Sequence, residues 1–466
     1  MHSYKTRRQK RLSRVSSKTS DGSDRVSTTV KRIGRLAPYI LIVFLLFREP
    51  LDLAALTENR EGKFWQQQQL PGKQKNAEVK ESPQCTREEL LKVRQHLHPE
   101  ACPMARKSPF THSCSITQAT KCVDATWLDE YYKELLNEND LSPFLGISVG
   151  CNKGFDALDT LRMGTFDAGL DKAAWRQSME GDGELHSSVC QQNTMPQFEV
   201  GRSNKRRRGE MHCFEPMPQT YQKLKESAES LGYDKKGYKV VHAAVSKESG
   251  KLLFLTGNLK AGVENVGLDA CKRLSGPEQK QHCPEVDILT LQEYVASHID
   301  VDGQTRTIHH LSIDVEGYDG DVILGTGKDI LKRVEYLEFE YNWMGSWANQ
   351  HLHDFITMLD GKDSNIDEST EGLSFTCYWG GMGRLWRITN CWMRYYDIHT
   401  WSNVVCVNRK LAPRLATKME AVFQKTILEE RGPYRKDRLI GDFNQFKDDV
   451  MMITDPHEAL ISTEYL

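Results

Sequence analysis

Residues 147–158 read ISVGCNKGFDAL. A short apolar strand, Leu145–Val149, runs into the turn Gly150-Cys151-Asn152-Lys153-Gly154 and then into a helix. Glycine in such a turn lets the backbone approach a ligand closely, and the start of the next helix offers N–H groups with no partner inside the helix. In dinucleotide folds those groups hold a pyrophosphate. The spacing here is neither G-x-G-x-x-G nor G-x-x-x-x-G-K-[ST]. It points to a nucleotide-like ligand without a phosphate at this place, or else to a purely structural turn.

On either side of this stretch, strand and helix patterns alternate. Thr126 with Asp129 reads as a helix start ahead of the stripe Leu128, Tyr131, Tyr132, Leu135 and Leu136. Downstream, strands are expected at Met211–Phe214, Lys239–Val245, Val286–Leu291, Leu311–Val315 and Tyr336–Tyr341. A helical face of Tyr221, Leu224, Ala228 and Leu231 closes at Gly232. Such alternation implies an α/β fold with a parallel sheet covered on both faces. Phe375–Trp379, Leu385–Ile388 and Asn403–Val407 then follow as strands without intervening helices, so the sheet is expected to finish in an antiparallel hairpin. Residues 159–209, with the acidic stretch Glu180–Glu184 and the basic run Lys205–Arg208, read as an inserted surface loop.

Acids sit where the expected strands end. Glu215, in HCFEPMP, is placed to accept hydrogen bonds from ribose hydroxyls; the alternative is a solvated strand-end acid. LSIDVEGYD, residues 311–319, sets Asp314 and Glu316 two apart, which points both the same way if the strand continues. They could take a proton from a hydroxyl, orient it, or hold a divalent metal. Glu338 and Glu340 close another apolar strand, EFEYN. His309 and His310 are further candidate bases, of which at most one can face the site. Trp343, Trp347 and Trp392 are candidates for stacking on sugar rings, against a background expectation of core packing.

VGCNKG (149–154), FEPMP (214–218), IDVEG (313–317) and EFEYN (338–342), in that order, resemble the FkbM-type family of S-adenosylmethionine-dependent methyltransferases. The resemblance implies a Rossmann-like class I methyltransferase sheet, mostly parallel with an antiparallel last strand. It implies S-adenosyl-L-methionine as cofactor and a hydroxyl oxygen, often on a sugar, as acceptor. By the same resemblance Gly150, Asn152 and Gly154 would line the methionine end of the cofactor and Glu215 would hold its ribose. Asp314, Glu316 and Glu340 would be catalytic, with Asp314 and Glu316 also the metal candidates. Two features depart from the pattern: Ser148 stands where the family commonly has an acid, and the gap from Gly150 to Glu215 is long.

The chain has 466 residues and a net charge of −2, but residues 1–35 hold 11 Lys/Arg against 2 Asp/Glu, which leaves the remainder at −11. An acidic body argues against a nucleic-acid partner. The apolar run Ala37–Phe47 follows the basic arm and reads as a type II signal-anchor, a cleaved signal or part of a transit peptide. Of 12 cysteines, Cys85, Cys102, Cys114 and Cys122 precede the main domain, and no C-x-x-C occurs, so disulfides in an oxidising lumen fit better than zinc. No N-x-[ST] sequon is present.

The expected organisation is a basic arm (1–35), an anchor or signal segment (36–56), a stem with the cysteine cluster (57–123), the methyltransferase domain (124–409) and an extension (410–466). Within the stem, Thr86 with Glu89 reads as a capping box opening a short helix. The expected function is O-methylation of a glycan or glycoconjugate by a single-pass Golgi or other secretory membrane enzyme with a lumenal catalytic domain. The alternatives are a small-molecule O-methyltransferase, in a plastid or secreted, and an inactive glycan-binding scaffold.

Overall fold

The computed structural model describes residues 82–97, 115–180, 206–254, 271–362 and 372–429, apart from positions 121, 139, 141, 272, 273, 302, 394, 395 and 398. The basic arm, Ala37–Phe47, the Gln-rich stem and Cys102 and Cys114 lie outside these residues. The chain divides into Met1–Lys73 and Gln74–Leu466, and all that follows concerns the second unit. Among the described residues no helix is long and apolar enough to cross a membrane.

Among the described residues eleven strands form two sheets: β1 (Phe144–Val149), β2 (Gly209–Phe214), β3 (Tyr238–Val241), β4 (Ala244–Val245), β5 (Gly250–Leu253), β6 (Glu285–Leu289), β7 (His310–Ile313), β8 (Tyr336–Tyr341), β9 (Phe375–Gly380), β10 (Leu385–Arg387) and β11 (Ser402–Asn408). The large sheet runs β10-β9-β11-β8-β7-β1-β2-β3. From β3 to β8 every pairing is parallel, whereas β11 is antiparallel to both β8 and β9, and β10 is antiparallel to β9. This matches the mostly parallel sheet and reversed last strand read from the sequence. All six residues of β1 are buried, as expected of a central parallel strand covered on both faces. The chain enters at β1, builds outward to β3 and returns at β7. The strand order therefore reverses between β1 and β7, which is where open α/β sheets bind ligands.

Two expected strands are corrected. Lys239–Val245 breaks at His242-Ala243, leaving β3 in the large sheet and β4 in a small one ordered β4-β6-β5. Val286–Leu291 becomes β6 of that small sheet and stops before Thr290, whose Oγ1 accepts the Glu293 N–H at 3.1 Å and caps a helix starting at Leu291. Thr290-x-x-Glu293 is itself a helix-start pattern.

Helix starts divide in the same way. Thr86 and Glu89 exchange the reciprocal bonds of a capping box: the Thr86 N–H donates to Glu89 Oε2 at 2.8 Å and the Glu89 N–H to Thr86 Oγ1 at 3.2 Å. Thr126 does not cap its helix. Ala125 occupies the cap position without a side-chain bond, and Asp129 turns inward, where burial pushes its carboxyl up to about 7. Gly232 closes Pro218–Leu231 at φ 68°. The region read as a surface loop begins instead with two helices, Phe155–Thr165 and Lys172–Glu180. Trp175 and Met179, one turn apart, bury against the core at 0% and 4% exposure and hold the second of these in place.

The first and last described helices meet at one buried cation. Arg387 on β10 is 1% exposed and pairs with Glu89 and Glu420, while its guanidinium also donates to the Gln84 carbonyl at 3.0 Å. Cys85–Cys391 ties the same corner across 306 residues. Cys151–Cys213, Cys271–Cys283 and Cys377–Cys406 are also bonded, and no cysteine is free among the described residues. Replacing Arg387 by alanine strands two carboxylates in a largely buried corner and is expected to cost about 3 kcal/mol. Urea unfolding of Arg387→Ala beside the parent measures this, and a loss below about 1 kcal/mol would show that the corner does not depend on the guanidinium.

Candidate active site

The turn after β1 is set by contacts inside the protein. Gly150 has φ 81°, and a Cβ placed on it would lie 1.8 Å from the Asp314 carbonyl oxygen. Glycine is required there because two strand ends touch, and this contact brings the β1 turn against the end of β7. Gly154, at φ 69°, leaves room for the Tyr238 hydroxyl and the Leu224 side chain. Trp175 Nε1 donates to the Lys153 carbonyl at 2.9 Å and the Tyr238 hydroxyl to the Gly154 carbonyl at 3.2 Å. Two large buried aromatics thereby fix the far side of the turn. The Cys151–Cys213 bond fastens it to β2.

Glu215, 6% exposed at the tip of β2, has both oxygens engaged by backbone. Oε2 accepts the Asn152 N–H at 2.9 Å and Oε1 the Met217 N–H at 2.8 Å. Burial pushes its carboxyl up to about 7 against the lowering effect of those two bonds. It is not the solvated strand-end acid weighed above. Each oxygen keeps a lone pair, so a hydroxyl donor can still be accepted. Asn152 Oδ1 in the turn is buried with no hydrogen-bond partner, which fits a ligand carrying hydroxyl or ammonium donors.

At the end of β7 one expectation fails. The strand stops at Ile313, Asp314 is exposed and Glu316 adopts φ 56°. The two side chains are therefore not on one strand face. Gly317 at φ 97° lets this bend pass against Met344, where a Cβ would meet backbone at 2.6 Å. Among the described residues no group of three or more His, Cys, Asp or Glu side chains is placed to hold a metal ion, so the metal expected at Asp314 and Glu316 has no support here.

Glu340 closes β8 in a polar niche. Its carboxylate accepts from Trp401 Nε1 and, at 2.8 Å, from Asn342 Nδ2. Its N–H donates to Asp319 Oδ1 at 3.1 Å, and its carbonyl accepts from Trp347 Nε1 at 2.9 Å. Burial, followed by the charges of Asp319 and Glu316, pushes its carboxyl up to about 8. Asp319 is fully buried and pushed well above the usual carboxylate range by burial and by Asp314, with Oδ2 unbonded. The structure thus brings Asp314, Glu316 and Glu340 to the ends of adjacent strands and adds Asp319, Asn342 and Trp401. Asp319 had been read as part of LSIDVEGYD without a role. Trp401 carried no signal, because its contact depends on β11 inserting beside β8.

The other candidates fall away from the site. His309 Nδ1 accepts the Leu145 N–H at 3.1 Å, and burial with Arg207 nearby pushes the ring down to about 3. His310 lies opposite Gly146 at the start of β7. Trp347 is fully buried among Phe339, Tyr341 and Phe355, and Trp392 packs on His353 and Tyr396. Neither is available to a sugar; Trp343 remains half-buried.

The methyltransferase FkbM domain model matches residues 191–363. That span takes in Glu215, Asp314, Glu316 and Glu340 and leaves the glycine turn outside it. No curated protein and no solved structure matches the chain.

Glu215 also sets a pH dependence. Its folded value, about 7, lies above the ordinary 4.5, so the folded state holds a proton that the unfolded state releases. Stability contributed by this group is full below about 4.5, falls as pH rises to about 7 and is level above. Subtracting the stability–pH curve of Glu215→Gln from that of the parent is expected to leave a fall of about 3 kcal/mol over that window. Parallel curves would mean that Glu215 titrates normally.

Proposed function

The chain carries an FkbM-type methyltransferase domain, and on that premise we propose that it is an S-adenosylmethionine-dependent O-methyltransferase acting on a hydroxyl of a glycan or glycoconjugate in the secretory pathway. The observation that carries the cofactor reading is the convergence at the β1/β7 switch point. The glycine turn with its unpartnered Asn152 oxygen touches both the Glu215 carboxylate and the end of β7, and Glu340 closes the neighbouring strand β8. When bound, the cofactor supplies a methyl group on a positively charged sulfur.

The remaining work falls to the chain. Gly150, Asn152 and Gly154 would line the methionine end, and Glu215 would accept the ribose hydroxyls. An alcohol must lose its proton as its oxygen is methylated. Glu340, raised to about 8, has a base strength near the working pH, where general-base efficiency is highest. Asp314, exposed at the mouth, and Glu316, on the bend, would orient the acceptor. Neutralising Asp319 spares the cluster a further charge. Cysteines that are all bonded among the described residues support an oxidising compartment, and the basic arm before Ala37–Phe47 supports a lumenal orientation.

Titration calorimetry of the full chain with S-adenosylmethionine is expected to show micromolar binding, lost in Glu215→Ala. Radiolabelled methyl transfer to a glycan panel should rise with pH up to about 8 in the parent. Glu340→Gln should keep the binding and lose about 100-fold or more in turnover, within the range for a general base. A folded protein that binds no cofactor would refute the reading and favour a scaffold.

A further inference from the structure

The residue that departs from the family pattern, Ser148, has two registered neighbours across the sheet. Ser148 pairs with Ser312 on β7, and Ser312 pairs with Glu338 on β8. Registered partners share a face of the sheet, and the Ser312 hydroxyl donates to Glu338 Oε1 at 3.0 Å. The row thus runs serine, serine, glutamate, with roughly 10 Å between its end backbones. The first turn of the helix after Gly154 brings Asp156 to the same place. Asp156 is solvent-accessible, yet desolvation and then the charges of Glu338 and Asp159 push its carboxyl up to about 6.

Among the described residues, negative charge around this row outnumbers positive charge. Asp159 is answered by Lys172 at 2.9 Å. Neither Asp156 nor Glu338 has a Lys or Arg within 4.0 Å among the described residues. Glu338 stays on the ionised side, its carboxyl below the usual range despite burial because His310, Ser312 and Tyr336 all favour the charged form. His310, two residues before Ser312 on β7, lies beside the same row. His310 is 3% exposed, neither ring nitrogen makes a hydrogen bond, and Nε2 is turned toward Glu338 Oε1 at 3.7 Å. At that distance the ring favours the charged carboxylate without closing a hydrogen bond to it.

We propose that Glu338, assisted by Asp156, seats the α-ammonium at the methionine end of the cofactor, so that the charge the family pattern places at position 148 is supplied here from β8. This rests on the cofactor reading above. A methionine end is a zwitterion, and its ammonium needs acceptors close to the glycine turn. Ser148 offers no charge, whereas the row beginning at Ser148 ends in one. Glu338 is a binding residue distinct from Glu340, two positions further along the strand and bonded to a different set of partners.

The test uses two probes on the full chain: S-adenosylmethionine and 5′-methylthioadenosine, which shares the nucleoside and lacks the amino-acid end. Glu338→Gln, which keeps shape and can still bond Ser312, is expected to weaken the first about 10- to 100-fold and leave the second unchanged. Ser148→Asp introduced into Glu338→Gln should recover most of the lost affinity, which a merely structural defect would not allow. If the parent binds neither probe, the cofactor reading fails. If the parent binds both and Glu338→Gln weakens neither, or weakens both equally, the cofactor reading stands and the seat assigned to Glu338 is wrong.

Discussion

The contact between Gly150 and the Asp314 carbonyl is the constraint from which the rest of the site follows. It brings the ends of β1 and β7 together where the strand order reverses, closer than any side chain at position 150 permits. With that point fixed, Asn152 reaches Glu215, Glu215 reaches Met217, and the turns after β1 and β2 become one unit. The disulfide Cys151–Cys213 spans the same two turns covalently. Trp175 and Tyr238 close the unit from outside through backbone carbonyls, without entering the place where a ligand would lie. A rigid cradle of this kind lets binding be decided by what enters rather than by what must first be ordered.

That rigidity is obtained with carboxyls placed where apolar side chains would be more stable. Glu215, Asp319 and Glu340 are all raised by burial, and each is tied to backbone N–H groups or to indole and amide donors. Burying a polar group costs several kcal/mol unless it is bonded, so these donors offset much of the cost of holding three carboxyls at the strand ends. The contrast lies at the opposite end of β1. There Arg207 is buried against Tyr132, Phe144 and Phe166, its Nε donating to the Gly164 carbonyl. That cation is absorbed by aromatic faces and backbone and serves packing.

The architecture was legible in the sequence wherever local pattern and tertiary demand agree. The β1 turn, FEPMP, the Thr86–Glu89 box and Gly232 each encode their geometry within a few residues, and the three strands without intervening helices announced the reversed end of the sheet. Legibility failed where a strand changes partners. Lys239–Val245 is one apolar run, but His242-Ala243 hands the chain from the large sheet to the small one, and no local signal distinguishes the two. Asp314 and Glu316 misled for a related reason: period-2 reasoning holds only while the strand lasts, and Gly317 gives the chain freedom to bend immediately after Ile313. Trp401 and Asp319 were beyond reach because each acquires its role through a partner on another element.

Proton chemistry at the β8 end depends on how those partners are shared. Asp319 accepts the Glu340 N–H while its charge, if present, would oppose that of the Glu340 carboxylate; the two groups are thus joined through backbone and set against each other through space. Two acids so placed cannot both ionise near neutral pH without a cation between them, and no cluster suited to a metal forms among the described residues. Asp319 is the more deeply buried and has an unbonded oxygen, so it is the one that stays neutral. Glu340, with Trp401 and Asn342 as donors to its ionised form, is the one able to lose its proton. Only the ionised form of Glu340 can receive a proton from an alcohol as the oxygen begins to form its new bond; burial makes that carboxylate a stronger base than an ordinary one, and the Trp401 and Asn342 donors hold it in place.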